Sequence, residues 1–178
     1  MTTAADIVKS VEELPYRPCV GIMVLNAQDE VWMGRRIKSP TPEESNHETK
    51  LWQMPQGGID KREDPFDAAK RELWEETGIT SATCIGRVDE WLSYDLPAER
   101  IGVALRGKWR GQKQLWFAFR FTGEEAEINI SNPPDGAPVE FDQWEWVEMS
   151  EVPKRIVEFK RKIYEQVVGE FSRLSSED

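Results

Sequence analysis

The sequence is poorest in the residues that build transition-metal and nucleophilic centres. Its 178 residues include one histidine and two cysteines. The histidine, His47, lies in a polar stretch from Ser39 to Lys50 that reads as a solvated loop. A histidine-ligated zinc site is therefore not expected, nor is a Ser-His-Asp triad. Cys19 and Cys84 are too few for a disulfide framework or a thiolate metal site, and both are expected to stay reduced in a cytoplasm. No apolar run approaches the length of a membrane span. The stretch Met1 to Ser10 lacks the basic start and apolar run of a secretory signal. A cytoplasmic protein without a membrane partner is the expectation. Basic excess is missing as well, with 23 Lys and Arg against 33 Asp and Glu and a net charge of −10. Proteins that coat duplex nucleic acid are normally basic, so strong duplex binding is disfavoured. A local basic mouth, or a phosphate ligand bridged through metal, stays compatible with that charge.

The length suits one domain with a real core. Residues 1–15 read as a loose lead-in, 16–171 as a single domain and 172–178 as a frayed tail. Cys19 to Leu25 is apolar and β-rich, Asn26 to Asp29 is turn-like, and Val31 to Met33 resumes a strand, which together predict a hairpin. Trp52 to Ile59 predicts a short strand and a glycine turn. Later strands are expected at Cys84–Val88, Leu115–Phe121 and Trp144–Val147. In the second of these, Phe117, Phe119 and Phe121 alternate with Trp116, Ala118 and Arg120, so one face is heavily aromatic. A closing helix is expected from Pro153 to Phe171, with Ile156, Phe159, Ile163 and Val167 on its inner stripe.

The best-marked element is a helix over Pro65–Thr77. Asp64 suits the N-cap, Pro65 the first helical position, Asp67 the first turn and Gly78 the residue after the end. Phe66, Ala69, Leu73 and Thr77 share one stripe. Glu72, Glu75 and Glu76 fall within roughly another 100° arc. Magnesium and manganese prefer oxygen ligands, and carboxylates crowded on one face repel unless a cation neutralises them. The helix taken alone equally suits a solvated face on an acidic protein.

The surroundings of the helix decide between these. Gly57 is followed after five residues by Glu63, and after seven more by Arg71, Glu72 and Leu73; Trp74, Glu75, Glu76, Thr77, Gly78 and Ile79 complete the run. The run resembles the Nudix box, G-x5-E-x7-R-E-U-x-E-E-x-G-U with U apolar, at every fixed position. At ordinary residue frequencies chance produces it about once in 10⁹ starts. The resemblance implies an α+β Nudix fold, a mixed β-sheet sandwiched between helices (α/β/α). It further implies hydrolysis of a nucleoside diphosphate linked to another group, with Glu72, Glu75 and Glu76 as ligands of a divalent metal, magnesium first and manganese second. Glu63 and Arg71 are similar to the pair that braces the loop against the helix in that family. Gly57 and Gly58 would let backbone approach metal or phosphate.

A second set of segments is more specific. Tyr16-Arg17-Pro18, Gly34-Arg35-Arg36, Trp52 to Gly58, Tyr94 to Pro97, Gly111 to Gln114, Glu140-Phe141-Asp142 and Phe159-Lys160-Arg161 occur in order. Together they resemble the bacterial RNA pyrophosphohydrolase branch of that family, also described as dinucleoside polyphosphate hydrolases, over about Tyr16 to Phe171. The resemblance implies phosphate contacts at Arg17, Arg36 and Lys160 and site-lining roles for Gln112 and Tyr94. Phe159 and Val157 would line the place where a base stacks, although Phe159 also falls on its helix's packing stripe. Glu140 would be a further carboxylate that joins the metal or activates water. One departure is the polar insertion Ser39–Lys50, which leaves Leu51 where the branch has a polar contact. Separately, Arg100, Arg106, Lys108, Arg110 and Lys113, interleaved with Trp109 and Trp116, form a basic stretch suited either to guiding an anionic chain or to a solvated loop.

The expected reaction is metal-assisted attack of water on a phosphorus, with Glu76 or Glu140 accepting the proton. Removal of diphosphate from 5′-triphosphorylated RNA leads, cleavage of dinucleoside polyphosphates is the alternative, and a non-catalytic nucleotide sensor is third. The sensor would have lost box carboxylates, and none is lost here. The sequence leaves the oligomeric state open.

Overall fold

The computed structural model describes residues 12–37, 52–102 and 104–174. His47, the insertion Ser39–Lys50 and Leu51 lie outside the described residues, as do residues 1–11 of the expected lead-in and 175–178 of the expected tail.

The apolar run after Tyr16 becomes β1 (Tyr16–Leu25), in which Cys19 to Leu25 are buried without interruption. A strand apolar on both faces needs cover on both sides. It receives this cover from one mixed sheet flanked by helices. The further strands are β2 (Val31–Arg36), β3 (Trp52–Gln53), β4 (Gln56–Gly58), β5 (Ala82–Arg87), β6 (Leu92–Asp95), β7 (Gly111–Phe121) and β8 (Phe141–Val147). The order is β3-β2-β1-β7-β5, with β4 on β1, β6 on β7 and β8 on β2. Only β1 and β7 run parallel among these pairs, in register from Tyr16↔Gly111 to Leu25↔Arg120. The helices are α1 (Pro65–Thr77), α2 (Val152–Arg155) and α3 (Glu158–Phe171). No helix among the described residues is long and apolar enough to cross a membrane.

Two cores result, one on each face of the sheet. Val20, Ile22 and Val24 of β1 and Leu115, Phe117 and Phe119 of β7 pack with Ala68, Ala69 and Leu73 of α1. Met23 and Leu25 of β1 and Trp116 and Ala118 of β7 pack with Ile163, Tyr164, Val167 and Phe171 of α3. This is the α/β/α arrangement. The alternation along β7 therefore separates two buried faces, not a buried face from a wet one.

Helix α1 has the bounds and caps its sequence predicts. The Asp64 carboxylate accepts from Phe66 N at 2.8 Å. Gly78 takes the left-handed conformation (φ 76°) that glycine tolerates best, and its N–H donates to Trp74 O. Phe66 is more exposed than its stripe implies, at 37%, because it lies stacked on Phe119 at 6.0 Å rather than inserted in the core.

Two expectations are corrected, and one strand was not expected. Gly57 and Gly58 lie in β4, paired with Val20 and Cys19 of β1, and not in a turn. Strand β6 is the unexpected element, a four-residue stretch in which Leu92 and Tyr94 alternate with Ser93 and Asp95. The closing helix is broken: Ile156 (φ −87°, ψ 155°) and Val157 (φ −57°, ψ 145°) are extended and separate α2 from α3. Both side chains are β-branched and 2% exposed, so the break drops them into the core. It also rotates the inner face of α3 to Lys160, Ile163, Tyr164, Val167 and Phe171, leaving Phe159 only partly buried.

Tyr164 links this helix to the strands that carry the box loop. It is 1% exposed, meets Trp116 edge to face at 5.6 Å, and accepts from Met54 N through its hydroxyl at 3.0 Å. Tyr164→Phe leaves a buried N–H without a partner, so urea denaturation should show a loss of about 1–3 kcal/mol. An unchanged unfolding midpoint would show that Met54 N finds another acceptor.

Candidate active site

Helix α1, the edges of β1, β2 and β4, and the start of α3 enclose a cavity of about 410 Å³. Its position is set by one guanidinium. Arg71 Nε donates to Glu63 at 2.7 Å and Nη2 to the same carboxylate at 2.9 Å, a bidentate pair. Nη2 also donates to Gly58 O at 2.9 Å, and Nη1 donates to Glu72 at 2.9 Å and Glu75 at 3.1 Å. Glu63 in turn accepts from Asp60 N at 2.8 Å. Strand β4, the loop after it and the acidic face of α1 are thereby tied together. The Glu72 carboxylate occupies the space where a Cβ on Gly57 would stand. Glycine is required at that position by the approach of a side chain, not by its backbone angle.

Glu72, Glu76 and Glu140 line the cavity. Glu76 Oε2 accepts from Gln56 N at 3.2 Å, and the carbonyl of Glu140 accepts from Ile37 N at 3.1 Å. Burial pushes the Glu72 carboxyl up to about 7, against the pull of Arg71. Burial raises Glu76 well above the carboxylate range, and the charges of Glu72 and Glu140 raise it further. Such a set of hard, mutually repelling oxygens fits a divalent cation of the magnesium type. As the side chains stand, no three acidic, His or Cys groups among the described residues converge closely enough to chelate one. Glu75 faces Arg71 and is outside the cavity lining.

The remaining wall is cationic and aromatic. Arg17, Arg36, Arg100 and Lys160 line the same cavity. A register shift between Arg35 and Arg36 separates their fates. Arg35 pairs with Asp142 at 2.8 and 3.0 Å, whereas Arg36 Nε is buried without a hydrogen-bond partner among the described residues. Burial and the neighbouring Arg36 charge lower Lys160 to about 7. Its Nζ lies 5.5 Å over the Tyr94 ring, and Tyr94 packs against Phe159 at 5.6 Å.

Beneath this wall runs a chain of amides. Trp116 Nε1, a donor only, donates to Gln114 Oε1 at 3.1 Å. Gln114 Nε2 must then donate, and does so to Gln112 Oε1 at 3.0 Å and Gln56 Oε1 at 3.1 Å. Gln56 Oε1 also accepts from Lys160 Nζ at 3.4 Å. With its oxygen occupied, Gln112 has its amino group left for the cavity.

Of the residues that the sequence singles out, Arg17, Arg36, Gly57, Glu72, Glu76, Tyr94, Gln112, Glu140, Phe159 and Lys160 line one cavity. Glu63 and Arg71 stand behind it as a brace, and Val157 lies in the core at 2% exposure, away from the lining. Sequence reasoning gave no role to Gln53, Gln56, Leu96, Ala104 and Leu105, which also line it, or to Gln114 beneath. Gln53, Gln56, Leu96 and Gln114 lie in segments that carry the resemblance, but a neutral side chain there has no charge from which a role could be read. Arg100 was visible only as part of a basic run.

Comparison with known proteins adds a second line of information. The NUDIX domain family matches residues 15–167. A Brucella ovis protein described as an RNA pyrophosphohydrolase is 58% identical over 165 residues, covering 93% of this chain and 92% of its own. An Agrobacterium fabrum protein with the same description is 58% identical over 164 residues, covering 92% and 96%. Among solved structures, the Escherichia coli dihydroneopterin triphosphate pyrophosphohydrolase superposes with a TM-score of 0.61 at 17% identity, covering 86% of this chain and 97% of its own. The Caenorhabditis elegans Ap4A hydrolase in a binary complex gives 0.59 at 16% identity, covering 89% and 98%. At these identities the two structures share the fold and nothing finer.

The partly buried carboxyls of Glu72 and Glu76 contribute to the pH response of protein stripped of metal by a chelator. Their pKa values are raised on folding, so the stability they contribute is full below the ordinary carboxylate range and declines as pH climbs through about 7 for Glu72. From pH 5 to pH 7 the loss from Glu72 is about 2 kcal/mol, several °C in Tm. Lys160 is charged in both states over most of that window and barely contributes. Glu72→Gln should make the decline shallower, with the Glu76 contribution remaining, and magnesium at pH 7 should restore Tm in the parent. A profile that rises over the window would refute the burial assignment.

Proposed function

The chain belongs to the Nudix family and is a pyrophosphohydrolase, a hydrolase acting on acid anhydrides; from that premise we propose that it removes diphosphate from 5′-triphosphorylated RNA. The observation that carries this reading is the description of the relatives, and the cavity fits the phosphate chemistry it requires. Three carboxylates and four cations line about 410 Å³ beside an aromatic pair, room for a polyphosphate and a nucleoside. Relatives that are 58% identical over nearly the whole chain bear the description RNA pyrophosphohydrolase.

Nudix hydrolases generally depend on divalent metal. Here Glu72, Glu76 and Glu140 would hold it, with Glu75 joining from the same helix face after release from Arg71. Magnesium is the first choice and manganese the second. When bound, the metal neutralises phosphate charge and lowers the pKa of water. The chain's own groups do the rest. Arg17, Arg36 and Lys160 grip the phosphates, with Arg100 beside them, and stabilise charge as it builds on the breaking bond. An arriving phosphate favours protonated Lys160, which is poised near neutrality. Gln112 donates from its fixed amide, and Tyr94 with Phe159 packs against the first nucleoside. Water attacks a phosphorus, Glu76 or Glu140 takes its proton, and the P–O–P bond opens to leave a 5′-monophosphate and diphosphate.

Cleavage of dinucleoside polyphosphates is the second reading, because the phosphate grip and aromatic pair do not discriminate between groups attached at the far end of the polyphosphate. Under magnesium, kcat/KM for a short triphosphorylated RNA should exceed that for diadenosine polyphosphates. A wide margin in the other direction would install the second reading in place of the first. For either substrate, Glu76→Gln should lower kcat by about 10²-fold or more with the fold retained. Near-parental turnover in that variant would remove Glu76 from the machinery. Arg36→Ala and Lys160→Ala should lower kcat/KM most at low ionic strength, since high salt weakens the same contacts in the parent. Parental kinetics at low salt would make them bystanders.

A further inference from the structure

The basic run Arg100–Lys113 does not fold into one surface. Arg110 pairs with Asp95 at 2.9 and 3.0 Å and lies 4.9 Å over the Tyr16 ring. Lys113 lies 5.4 Å over Trp91. Arg100 lines the catalytic cavity. Arg106, Lys108 and Trp109 instead line a second cavity of about 550 Å³, completed by Arg17 and Leu105. Arg17 and Leu105 also line the catalytic cavity, so the two share a wall.

The lining of this second cavity is unusual for the molecule. Three of its five residues are cationic and none is acidic, in a chain of net charge −10. Arg106 and Lys108 are exposed, and no carboxylate pairs with either among the described residues. Trp109 is partly buried and presents an aromatic surface beside them. The turn that sets them there is held in a conformation side chains avoid: Leu105 and Arg106 have φ of 52° and 60°, and Gly107 after them 68°.

We propose that this second cavity is a subsite for the RNA chain beyond its first nucleotide, with Arg106 and Lys108 on the phosphodiester backbone and Trp109 under a base. The proposal rests on the RNA reading above. Single-stranded nucleic acid is held by cations that track the backbone and aromatics that stack bases, and both are present next to the polyphosphate grip. Arg17, on the shared wall, spans the 5′ phosphates and the RNA downstream of them. A dinucleoside polyphosphate has no phosphodiester to offer this cavity.

The test is binding, measured on the full chain by fluorescence anisotropy with 5′-monophosphorylated RNA of two and of five nucleotides across a salt series. In the parent, the longer RNA should bind more tightly and with the steeper salt dependence. Arg106→Gln with Lys108→Gln removes two phosphate contacts, so for the longer RNA the slope of log Kd on log salt should drop by about 1.4. Arg106→Lys with Lys108→Arg should restore the parental slope, and Trp109→Leu should raise Kd without changing the slope. Arg87→Gln with Lys154→Gln, an equal charge change elsewhere on the surface, should leave the slope alone. A parental slope in the double Gln variant, or the same loss from the Arg87 and Lys154 control, overturns the subsite. That result would leave the RNA reading standing, whereas a kinetic preference for dinucleoside polyphosphates removes the RNA reading itself.

Discussion

The guanidinium of Arg71 is the point on which the site turns. Its donors reach Glu63, the Gly58 carbonyl, Glu72 and Glu75. It joins three parts of the chain at one point: a short strand, a polar loop and a helix face crowded with acid. A lysine offers one point charge where this arrangement needs a planar fork. Glu63 answers the fork and is itself held by Asp60 N. Bonding to Glu63 and the other acids raises the Arg71 pKa still further, so the guanidinium stays charged, and Glu63 is held below the usual carboxylate range by the same bond.

That brace makes an otherwise unfavourable concentration of charge possible. Glu72 and Glu76 are withdrawn from water by the packing of α1 on β1 and β4, and burial is the largest influence on both. Burial is also the largest influence on Lys160 across the cavity, in the opposite direction. Acids made harder to ionise and a base made easier to discharge face one another in a small volume. Each is stabilised by a charged visitor of the appropriate sign, a divalent cation on one side and a polyphosphate on the other.

The uncharged layer beneath determines how finely that charge is aimed. The donor-only Trp116 indole orients Gln114, Gln114 orients Gln112 and Gln56, and Gln56 receives Lys160. Such a chain gives each amide one sensible orientation and leaves little freedom at the cavity wall. It is built from the core face of β7, so packing of the second hydrophobic core and polarity of the cavity wall are one structural problem.

Much of this was legible in the order of residues alone. Helix α1 declared its bounds through Asp64, Pro65 and Gly78, since capping is a contest among neighbours in sequence. The box acids and their brace were legible because helical spacing places Glu72, Glu75 and Glu76 together wherever the helix goes. The strands β1, β2 and β7 were marked by alternation and apolar runs. What sequence could not supply was relations between distant segments. Phe159, on the packing stripe, looked the better core residue of the two, until a break at Ile156 and Val157 buried Val157 and left Phe159 on the cavity wall. Glu75 looked equivalent to Glu72 and Glu76, yet only the latter two reach the cavity wall. Gln56 and Gln114 lay within segments that carry the resemblance yet had no role assigned, because a neutral amide acquires a role only from what is packed against it. The basic run looked continuous, until pairing with Asp95 and Trp91 took Arg110 and Lys113 away and left Arg106, Lys108 and Trp109 beside Arg17. Local chemistry names the groups and their spacing along one element. Which groups share a wall is settled by burial and by partners on other elements of the fold, and no periodicity in the chain encodes it.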